Sequence, residues 1–214
     1  MVQKSESAAT KPKRGRPRAY DPGAALAKAR DAFWESGFSA TSLDDLSAAT
    51  GMNRPSLYAA FGDKHALYAG VLDTYREAGR AGMVELLDAK RPLREGLRRV
   101  YAAALDMYFP EGAKARGCFM IGTAVTEAVG DPKIREALAE GFRAFDKAFE
   151  ARFREAIERG ELPAKTDVAM LGRLASAFMY FLAIRSRSGE TRKALEAFAD
   201  AAVELICRSV AAGA

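Results

Sequence analysis

The sequence predicts an all-α protein with a small N-terminal helical domain and a larger C-terminal helical domain. Apolar residues recur at intervals of three and four along most of the 214 residues, which is the spacing of one face of an α-helix. Capping residues, glycines and prolines divide these stretches at short intervals. Hydrophobic residues make up 49% of the chain and charged residues 29%, an ordinary balance for a globular protein with adequate cores.

Residues 1–20 predict a disordered basic arm, because a run rich in Lys, Pro, Ser and Gly cannot bury enough apolar surface to fold. The arm holds six basic residues and one glutamate, so its charge of +5 equals the net charge of the whole chain. Arg14, Arg16 and Arg18 surround Gly15 and Pro17 in a pattern that resembles the core of an AT-hook. Such an arm inserts arginines into an A·T-rich minor groove, or it holds phosphates without reading sequence.

The first folded helix is predicted to begin at Asp21 as the cap, with Pro22 at the first helical position. Its buried stripe contains Leu26, Ala29 and Phe33, and Gly37 is predicted to end it. For Trp34, which follows this stripe, we expect a packing role at the edge of the small domain.

The stretch from Thr41 to Lys64 predicts two short helices around a tight turn. Thr41 and Ser42 are each followed three residues later by an aspartate, the arrangement of a capping box. Gly51 ends the first helix, since glycine takes the left-handed conformation without steric cost. Asn53 caps the second helix, which tolerates Pro55 in its first turn and runs roughly from Arg54 to Phe61. Two short helices around such a turn form a helix-turn-helix unit.

The exposed side of the second helix carries side chains that can donate to and accept from base edges and phosphates. These are Asn53, Arg54, Ser56 and Tyr58. They indicate a recognition helix in a major groove, or an ordinary helical hairpin with a solvated polar face; the motif alone leaves both open.

The run that begins at Phe33 and continues through the helix-turn-helix resembles the DNA-binding domain of TetR/AcrR-family transcriptional regulators. The matching residues are Phe33, Gly37, Phe38, Thr41, the Ala49–Gly51 turn, Leu57, Tyr58, Phe61, Lys64 and Leu67. The resemblance implies a DNA-binding domain with its connecting helix over residues 21–80, and a ligand-binding and dimerisation domain over 81–214. The DNA contacts that we expect are Arg14, Arg16, Arg18, Thr41, Ser42, Asn53, Arg54, Ser56, Tyr58 and Lys64.

The fourth helix is predicted from about Asp63 to Arg80. Lys64 lies in its first turn, where a phosphate would meet both the lysine charge and the helix N-terminus; a solvated lysine is the alternative. His65 is the only histidine and is expected at the surface or near a phosphate. A single histidine, with no Cys-x-x-Cys pair and no phosphate loop, argues against an enzyme or a metal site. We therefore expect no cofactor, no metal and no catalysis.

The remaining chain predicts further helices: Leu93 to Phe109, an apolar segment from Gly117 to Val129, and a long helix from Pro132 to about Arg159. Thr166 is predicted to cap a helix that ends near Ser186. Phenylalanines along the long helix fill a core or also form the wall of a ligand cavity. The candidate ligand-binding residues are Tyr101, Tyr108, Cys118, Met120, Phe142, Phe145 and Phe178.

The last two helices carry wide apolar faces. In a TetR-like protein such a pair meets its twofold copy in a four-helix bundle; without the resemblance, it is a terminal hairpin packed on the core. The apolar run from Leu174 to Ile184 is too short to span a bilayer. Only two cysteines are present, and the basic N-terminus is not a signal peptide, so we expect a reducing cytoplasm and no membrane.

The resemblance implies a homodimeric transcriptional regulator, most simply a repressor, that binds a palindromic double-stranded DNA operator and releases it when a small-molecule effector binds. Two alternatives stay open at this point. One is an architectural DNA binder that uses the arm without an effector. The other is a redox- or electrophile-sensing regulator that acts through Cys118, although only a helix N-terminus is available there to lower the thiol pKa.

Overall fold

The computed structural model describes residues 20–208, so the basic arm over residues 1–19, with Arg14, Arg16 and Arg18, lies outside the described residues. Within that range the protein consists of helices and the loops between them, as the sequence predicts. The helices are α1 Pro22–Ala40, α2 Leu43–Thr50, α3 Arg54–Phe61, α4 Lys64–Leu86, α5 Leu93–Tyr108, α6 Val125–Glu127, α7 Pro132–Glu158, α8 Val168–Arg187 and α9 Arg192–Arg208.

Side-chain caps begin four of these helices, two of them at the predicted residues Asp21 and Asn53. The side chains of Asp21, Asn53, Asp63 and Asp131 accept hydrogen bonds from backbone N–H groups in the first turns of α1, α3, α4 and α7. Gly51 ends α2 in the left-handed conformation, with φ of 72°. Local chemistry therefore determines where these helices begin and end.

Three boundaries differ from the sequence prediction. Gly37 breaks α1 with φ of 80°, but one more turn follows it as far as Ala40. The fourth helix continues beyond Arg80 to Leu86, since its apolar face extends to the buried Met83. Asp167 caps α8, because its carboxylate accepts from the Met170 N–H.

The same loop shows why Thr166 is not that cap. Its hydroxyl donates to the Pro163 carbonyl at 2.7 Å and is therefore used within the preceding turn. The prediction for Thr166 was wrong by one residue.

The apolar segment from Gly117 to Val129 is not a regular α-helix. It forms π-helical turns over Met120–Ala124, which lead into the short α6. Gly117 has φ of 64°, and a Cβ there would lie 2.5 Å from the Ala183 carbonyl of α8. The segment and α8 therefore pack with backbone against backbone, and Cys118 lies just before the helical turns.

Helix α4 joins the two ends of the structure. Its first half packs on α1 and α3, and its second half packs on α5 and α7. Helices α7 and α8 lie side by side, while α9 covers α5 and α8. A displacement of α4 would therefore move the helix-turn-helix relative to the C-terminal helices.

Helices α8 and α9 are only partly covered. Ala175, Ala183 and Ala199 face inward, as their small side chains predict. By length and composition α8 could cross a membrane, but 39% of its apolar window is buried inside the protein. The apolar residues that stay exposed on the outer side of the two helices are Met170, Leu174, Phe181, Ile184 and Leu205; we call them the α8–α9 strip.

Candidate nucleic-acid interface and ligand cavity

Helix α3 presents a polar surface of the kind that the sequence predicts. Asn53, Arg54 and Tyr58 are exposed, with Tyr58 at 49%, and Ser56 is half-buried. The Asn53 side chain uses its carbonyl oxygen to cap the helix, so its NH₂ group stays available as a donor. Leu57 anchors the opposite face in the core.

Arg54 is already paired within the helix-turn-helix. Its guanidinium donates two hydrogen bonds to the Asp44 carboxylate of α2, at 2.9 and 2.6 Å. This contact raises the pKa of Arg54 and ties the start of α3 to α2. Both side chains are more than half exposed, so a phosphate or a guanine can compete with Asp44 for the guanidinium.

Thr41 does not belong to the exposed surface. It is 1% exposed, and its hydroxyl donates to the Gly37 carbonyl at 2.6 Å. Because Gly37 breaks the regular helix, a nearby side-chain donor pairs with its carbonyl inside the fold. The Thr41 side chain is therefore engaged inside the fold, and a DNA contact by Thr41 stays a prediction.

Ser42 is exposed, and it forms the predicted capping box. Its hydroxyl donates to the Asp45 carboxylate at 2.7 Å, while the Asp45 N–H donates back to the hydroxyl at 3.1 Å. These hydrogen bonds lower the pKa of Asp45. A DNA contact by Ser42 remains a prediction.

The first turn of α4 carries Lys64 and His65 beside the ring of Phe38. The Lys64 ammonium lies 4.4 Å from the ring centroid, a cation–π contact that orients it near the helix N-terminus. The exposed His65 lies with Nδ1 3.5 Å from a carboxylate oxygen of Asp131, the cap of α7. His65 is thus a surface residue, as expected, and it faces the C-terminal helices.

A cavity of about 310 Å³ lies between α1, α4, α5, α7, α8 and the segment around Cys118. Five of the predicted ligand residues line it: Tyr108, Cys118, Met120, Phe142 and Phe145. That these aromatic and sulfur-containing side chains contact a ligand stays a prediction.

The other two predicted ligand residues, Tyr101 and Phe178, do not line the cavity. Tyr101 lies two turns before Tyr108 on α5, and its hydroxyl donates to the Ala175 carbonyl of α8 at 3.1 Å. Phe178 packs edge-on against Phe198 between α8 and α9. Helical spacing places both on apolar faces, but other helices cover them at these positions.

Sequence reasoning missed that the N-terminal helices contribute to the cavity wall. Trp34 of α1 is 2% exposed and lies edge-on to Tyr75 of α4, with ring centroids 5.4 Å apart. The Trp34 indole N–H donates to the Arg116 carbonyl at 3.2 Å, and the Arg116 guanidinium lies 3.8 Å from the indole centroid. In the sequence, the only indication that α1 contributes to the cavity wall was Trp34, the single tryptophan of the chain.

Cys118 is buried in the cavity wall with Sγ 3.4 Å from the Tyr75 hydroxyl. Burial raises the pKa of the Cys118 thiol, although hydrogen bonds from Tyr75 and from backbone N–H groups act in the opposite direction. The thiol is therefore protonated at neutral pH, which disfavours attack on oxidants or electrophiles.

The segment from Arg116 to Asp131 makes polar contacts with the N-terminal helices. Among the described residues these contacts include Tyr68 with Thr123, Ser39 with Glu127, His65 with Asp131, and both Asp31 and Trp34 with Arg116. The same segment contributes Arg116, Cys118 and Met120 to the cavity wall.

Comparisons with known proteins agree with this architecture. Residues 25–71 match the family model "Bacterial regulatory proteins, tetR family", and residues 92–202 match "Tetracyclin repressor-like, C-terminal domain". The HTH-type transcriptional repressor ComR of Escherichia coli (strain K12) is 32% identical over 195 residues, which cover 91% of this chain and 93% of ComR. The repressor BdcR of the same organism is 33% identical over 144 residues, 67% of this chain and 69% of BdcR.

A solved structure extends the comparison to a DNA complex. It contains a cysteine mutant of the TetR family transcriptional regulator CifR bound to a 26bp double-strand operator DNA. The two chains superpose with a TM-score of 0.76 and 30% identity, over 89% of this chain and 98% of CifR. The protein therefore belongs to the TetR family and is a DNA-binding transcriptional regulator.

Proposed function

We propose that this protein is a homodimeric repressor that leaves its operator when a small molecule occupies the cavity. The observation that carries the proposal is the position of Trp34. This side chain belongs to the first helix of the helix-turn-helix region, yet it forms part of the cavity wall. A molecule in the cavity would contact the DNA-binding helices directly. The names of ComR and BdcR, both repressors, support repression.

The domain division proposed for this mechanism is residues 21–80 for DNA binding and 81–214 for ligand binding and dimerisation. Helix α4 crosses the boundary, and Tyr75 lies both on α4 and in the cavity wall. A ligand shifts the protein toward the released state only if it binds that arrangement better than the DNA-bound one. Repacking of the side chains around Tyr75 and Trp34 supplies the difference in ligand affinity between the two arrangements. Helix α4 then transmits the movement to α3. No catalytic role, cofactor or metal enters the proposal, and the compartment is the cytoplasm.

The α8–α9 strip supports the dimer. Its exposed apolar side chains lie on two adjacent helices, and contiguous apolar surface of this kind marks protein–protein contacts. Pairing with the same strip of a second copy would form a four-helix bundle. The two α3 helices would then read a palindromic operator, with half-sites spaced by roughly 34–36 Å or a multiple of that distance.

Sedimentation of matched variants tests the dimer. Ile184→Asp places a charge in the strip and should yield monomers that bind the operator weakly. Val129→Asp places the same charge on an exposed apolar residue outside the strip and should stay dimeric. A dimeric Ile184→Asp protein would contradict the assignment of this interface.

A gel shift with a palindromic operator, with and without small-molecule extracts, tests effector release. Ala104→Leu adds bulk inside the cavity and should bind the operator yet resist release. Ala102→Leu adds the same bulk on the exposed side of α5 and should respond like the parent. Equal release of both variants would exclude the cavity as the effector site.

The alternative function is a sensor of oxidants or electrophiles through Cys118. Its position in the cavity wall favours this reading, because a reagent that reached the cavity would meet the thiol. The raised thiol pKa opposes it. Substitution of Cys118 separates the two functions, as described in the Discussion.

A further inference from the structure

We propose that the cavity binds a compact, uncharged, mainly apolar molecule that carries one hydrogen-bond-acceptor oxygen, such as a small aromatic ketone. The inference deepens the proposed function and rests on it in one respect, namely that this cavity is the effector site. The size of the cavity, the charges in its wall and a buried, unpaired tyrosine hydroxyl support it.

The volume limits the ligand to a small molecule. The cavity volume is about 310 Å³. It lies near the lower end of the usual range for ligand pockets, which is about 300–1,000 Å³. A compound of about ten non-hydrogen atoms fits this space, since an engineered cavity of about 150 Å³ holds benzene.

The wall disfavours a cation. Among the described residues that line the cavity there is no Asp or Glu, and the charged side chains are Arg30 and Arg116. A buried ammonium group would therefore lose its hydration without gaining a counter-charge. The indole face that could have received a cation is already occupied by the guanidinium of Arg116, 3.8 Å from the Trp34 centroid.

The wall also offers little to an anion, because both arginines already have partners. Arg30 donates to the Asp31 carboxylate at 3.1 and 2.9 Å. Arg116 donates to the Met107 carbonyl at 3.3 Å and lies 3.4 Å from the same Asp31 oxygen. A carboxylate ligand beside these guanidinium groups would be repelled by Asp31 and would have to displace it.

Two tyrosine hydroxyls supply the polar groups of the wall. Tyr108 and Tyr180 both line the cavity, and the Tyr180 hydroxyl is buried without a hydrogen-bond partner of normal geometry among the described residues. Burial raises the pKa of Tyr180 and the neighbouring Ser176 hydroxyl on the same helix acts in the opposite direction, but the geometry of Ser176 with Tyr180 falls outside that of a normal hydrogen bond. An unpaired buried hydroxyl is unfavourable, so a ligand oxygen that accepted from it would gain binding free energy.

These tyrosines act as donors at every physiological pH. Burial raises the pKa of Tyr108 and Tyr180 well above the ordinary value of a phenol. The neighbouring Tyr75 hydroxyl contacts the sulfur atoms of Met107 and Cys118, which are weak acceptors, and it also accepts from the Phe119 backbone N–H. The group that complements this side of the cavity is therefore an acceptor oxygen without a charge, as in a ketone, aldehyde or amide.

Four probes of similar size test the proposal on the full chain without DNA. Acetophenone is neutral and has an acceptor oxygen, ethylbenzene lacks the oxygen, benzoate is anionic and benzylamine is cationic. Calorimetry gives the dissociation constants. Fluorescence of Trp34, the single tryptophan of the chain, reports whether the probe enters the cavity. Acetophenone should bind most tightly and change the fluorescence.

Removal of single hydroxyl groups then identifies the donors. Tyr108→Phe and Tyr180→Phe should each weaken acetophenone binding roughly 3- to 10-fold and leave ethylbenzene binding unchanged. Tyr20→Phe removes a hydroxyl in the N-terminal region, outside the cavity wall, and should change neither. Because the Tyr180 hydroxyl is buried without a hydrogen-bond partner of normal geometry, Tyr180→Phe should not lower the stability of the fold.

The outcomes separate this inference from the proposed function. The ligand class would be overturned if benzoate or benzylamine bound more tightly than acetophenone, or if ethylbenzene bound equally well. It would also be overturned if both tyrosine variants kept the parent's affinity for acetophenone, or if acetophenone did not bind at millimolar concentration. If one of the charged probes released operator DNA, the effector mechanism would stand without this ligand class. If acetophenone bound as expected but the Ala104→Leu protein were released as readily as the parent, the ligand class would stand without the mechanism.

Discussion

The hydrogen bond between Tyr68 and Thr123 allows a quantitative test of how the helix-turn-helix region is joined to the C-terminal helices. Tyr68 lies on α4, Thr123 lies in the π-helical turns, and their hydroxyl oxygens are 2.7 Å apart in a buried environment. The Thr123 hydroxyl donates to the Phe119 carbonyl at 2.8 Å. Tyr68 must therefore be the donor to Thr123, and burial keeps it protonated by raising its pKa to about 12.

This direction of donation predicts unequal effects. Thr123→Val keeps a similar shape but leaves the Tyr68 hydroxyl buried without an acceptor, which destabilises a fold by about 1–3 kcal/mol. Tyr68→Phe removes the donor, while Thr123 keeps its bond to Phe119, so the loss is about 0.5–1.5 kcal/mol. The double variant leaves no unpaired hydroxyl and should be less destabilised than the sum of the single variants.

Urea unfolding at a fixed protein concentration measures these differences, because the stability of the proposed dimer would depend on its concentration. With a slope of about 2 kcal/mol/M, a loss of 2 kcal/mol shifts the midpoint by roughly 1 M. Thr74→Val is the matched control: its hydroxyl also donates to a carbonyl four residues earlier, Gly70, but it is exposed and has no third partner. Its effect should stay within about 0.5 kcal/mol.

The reasoning would be refuted if Tyr68→Phe destabilised the protein more than Thr123→Val, or if the effects of the two substitutions simply added. A Thr123→Val effect no larger than that of Thr74→Val would show that the buried bond contributes nothing beyond the local helix.

Three further predictions concern DNA binding and regulation. Tyr58→Phe should weaken operator binding across all sequences if its hydroxyl holds a phosphate, whereas Arg54→Ala should also relax base preference by about 1–3 kcal/mol at one position; unchanged affinity in both variants, measured by gel shift, would contradict the assignment of α3. Deletion of residues 1–19 should reduce the salt dependence of operator affinity and erase any preference for A·T-rich flanks, because each neutralised phosphate releases counterions; an identical salt slope would mean that the arm does not contact DNA. Cys118→Ser should leave operator binding intact and at most weaken the effector response; loss of release by peroxide in this variant, with release retained in the parent, would support the redox sensor instead.

The sequence alone was sufficient wherever the determinant is local. Asn53 and Pro55 fix the beginning of α3 because a cap and a first-turn proline act within four residues of the chain. The left-handed Gly51 fixes the end of α2 in the same way. The all-α fold and the resemblance of the helix-turn-helix region follow from such signals, and the family comparisons confirm both.

The tertiary structure decided which apolar faces meet one another. Tyr101 and Tyr108 lie on the same face of α5, two turns apart, but only Tyr108 lines the cavity, since the Tyr101 hydroxyl donates to the Ala175 carbonyl of α8. Trp34 reaches the cavity because α1 crosses near Arg116, which is 82 residues away in the chain. Helical periodicity predicts that a residue lies on an apolar face. Which helix packs against that face depends on how helices that are distant in the sequence cross one another.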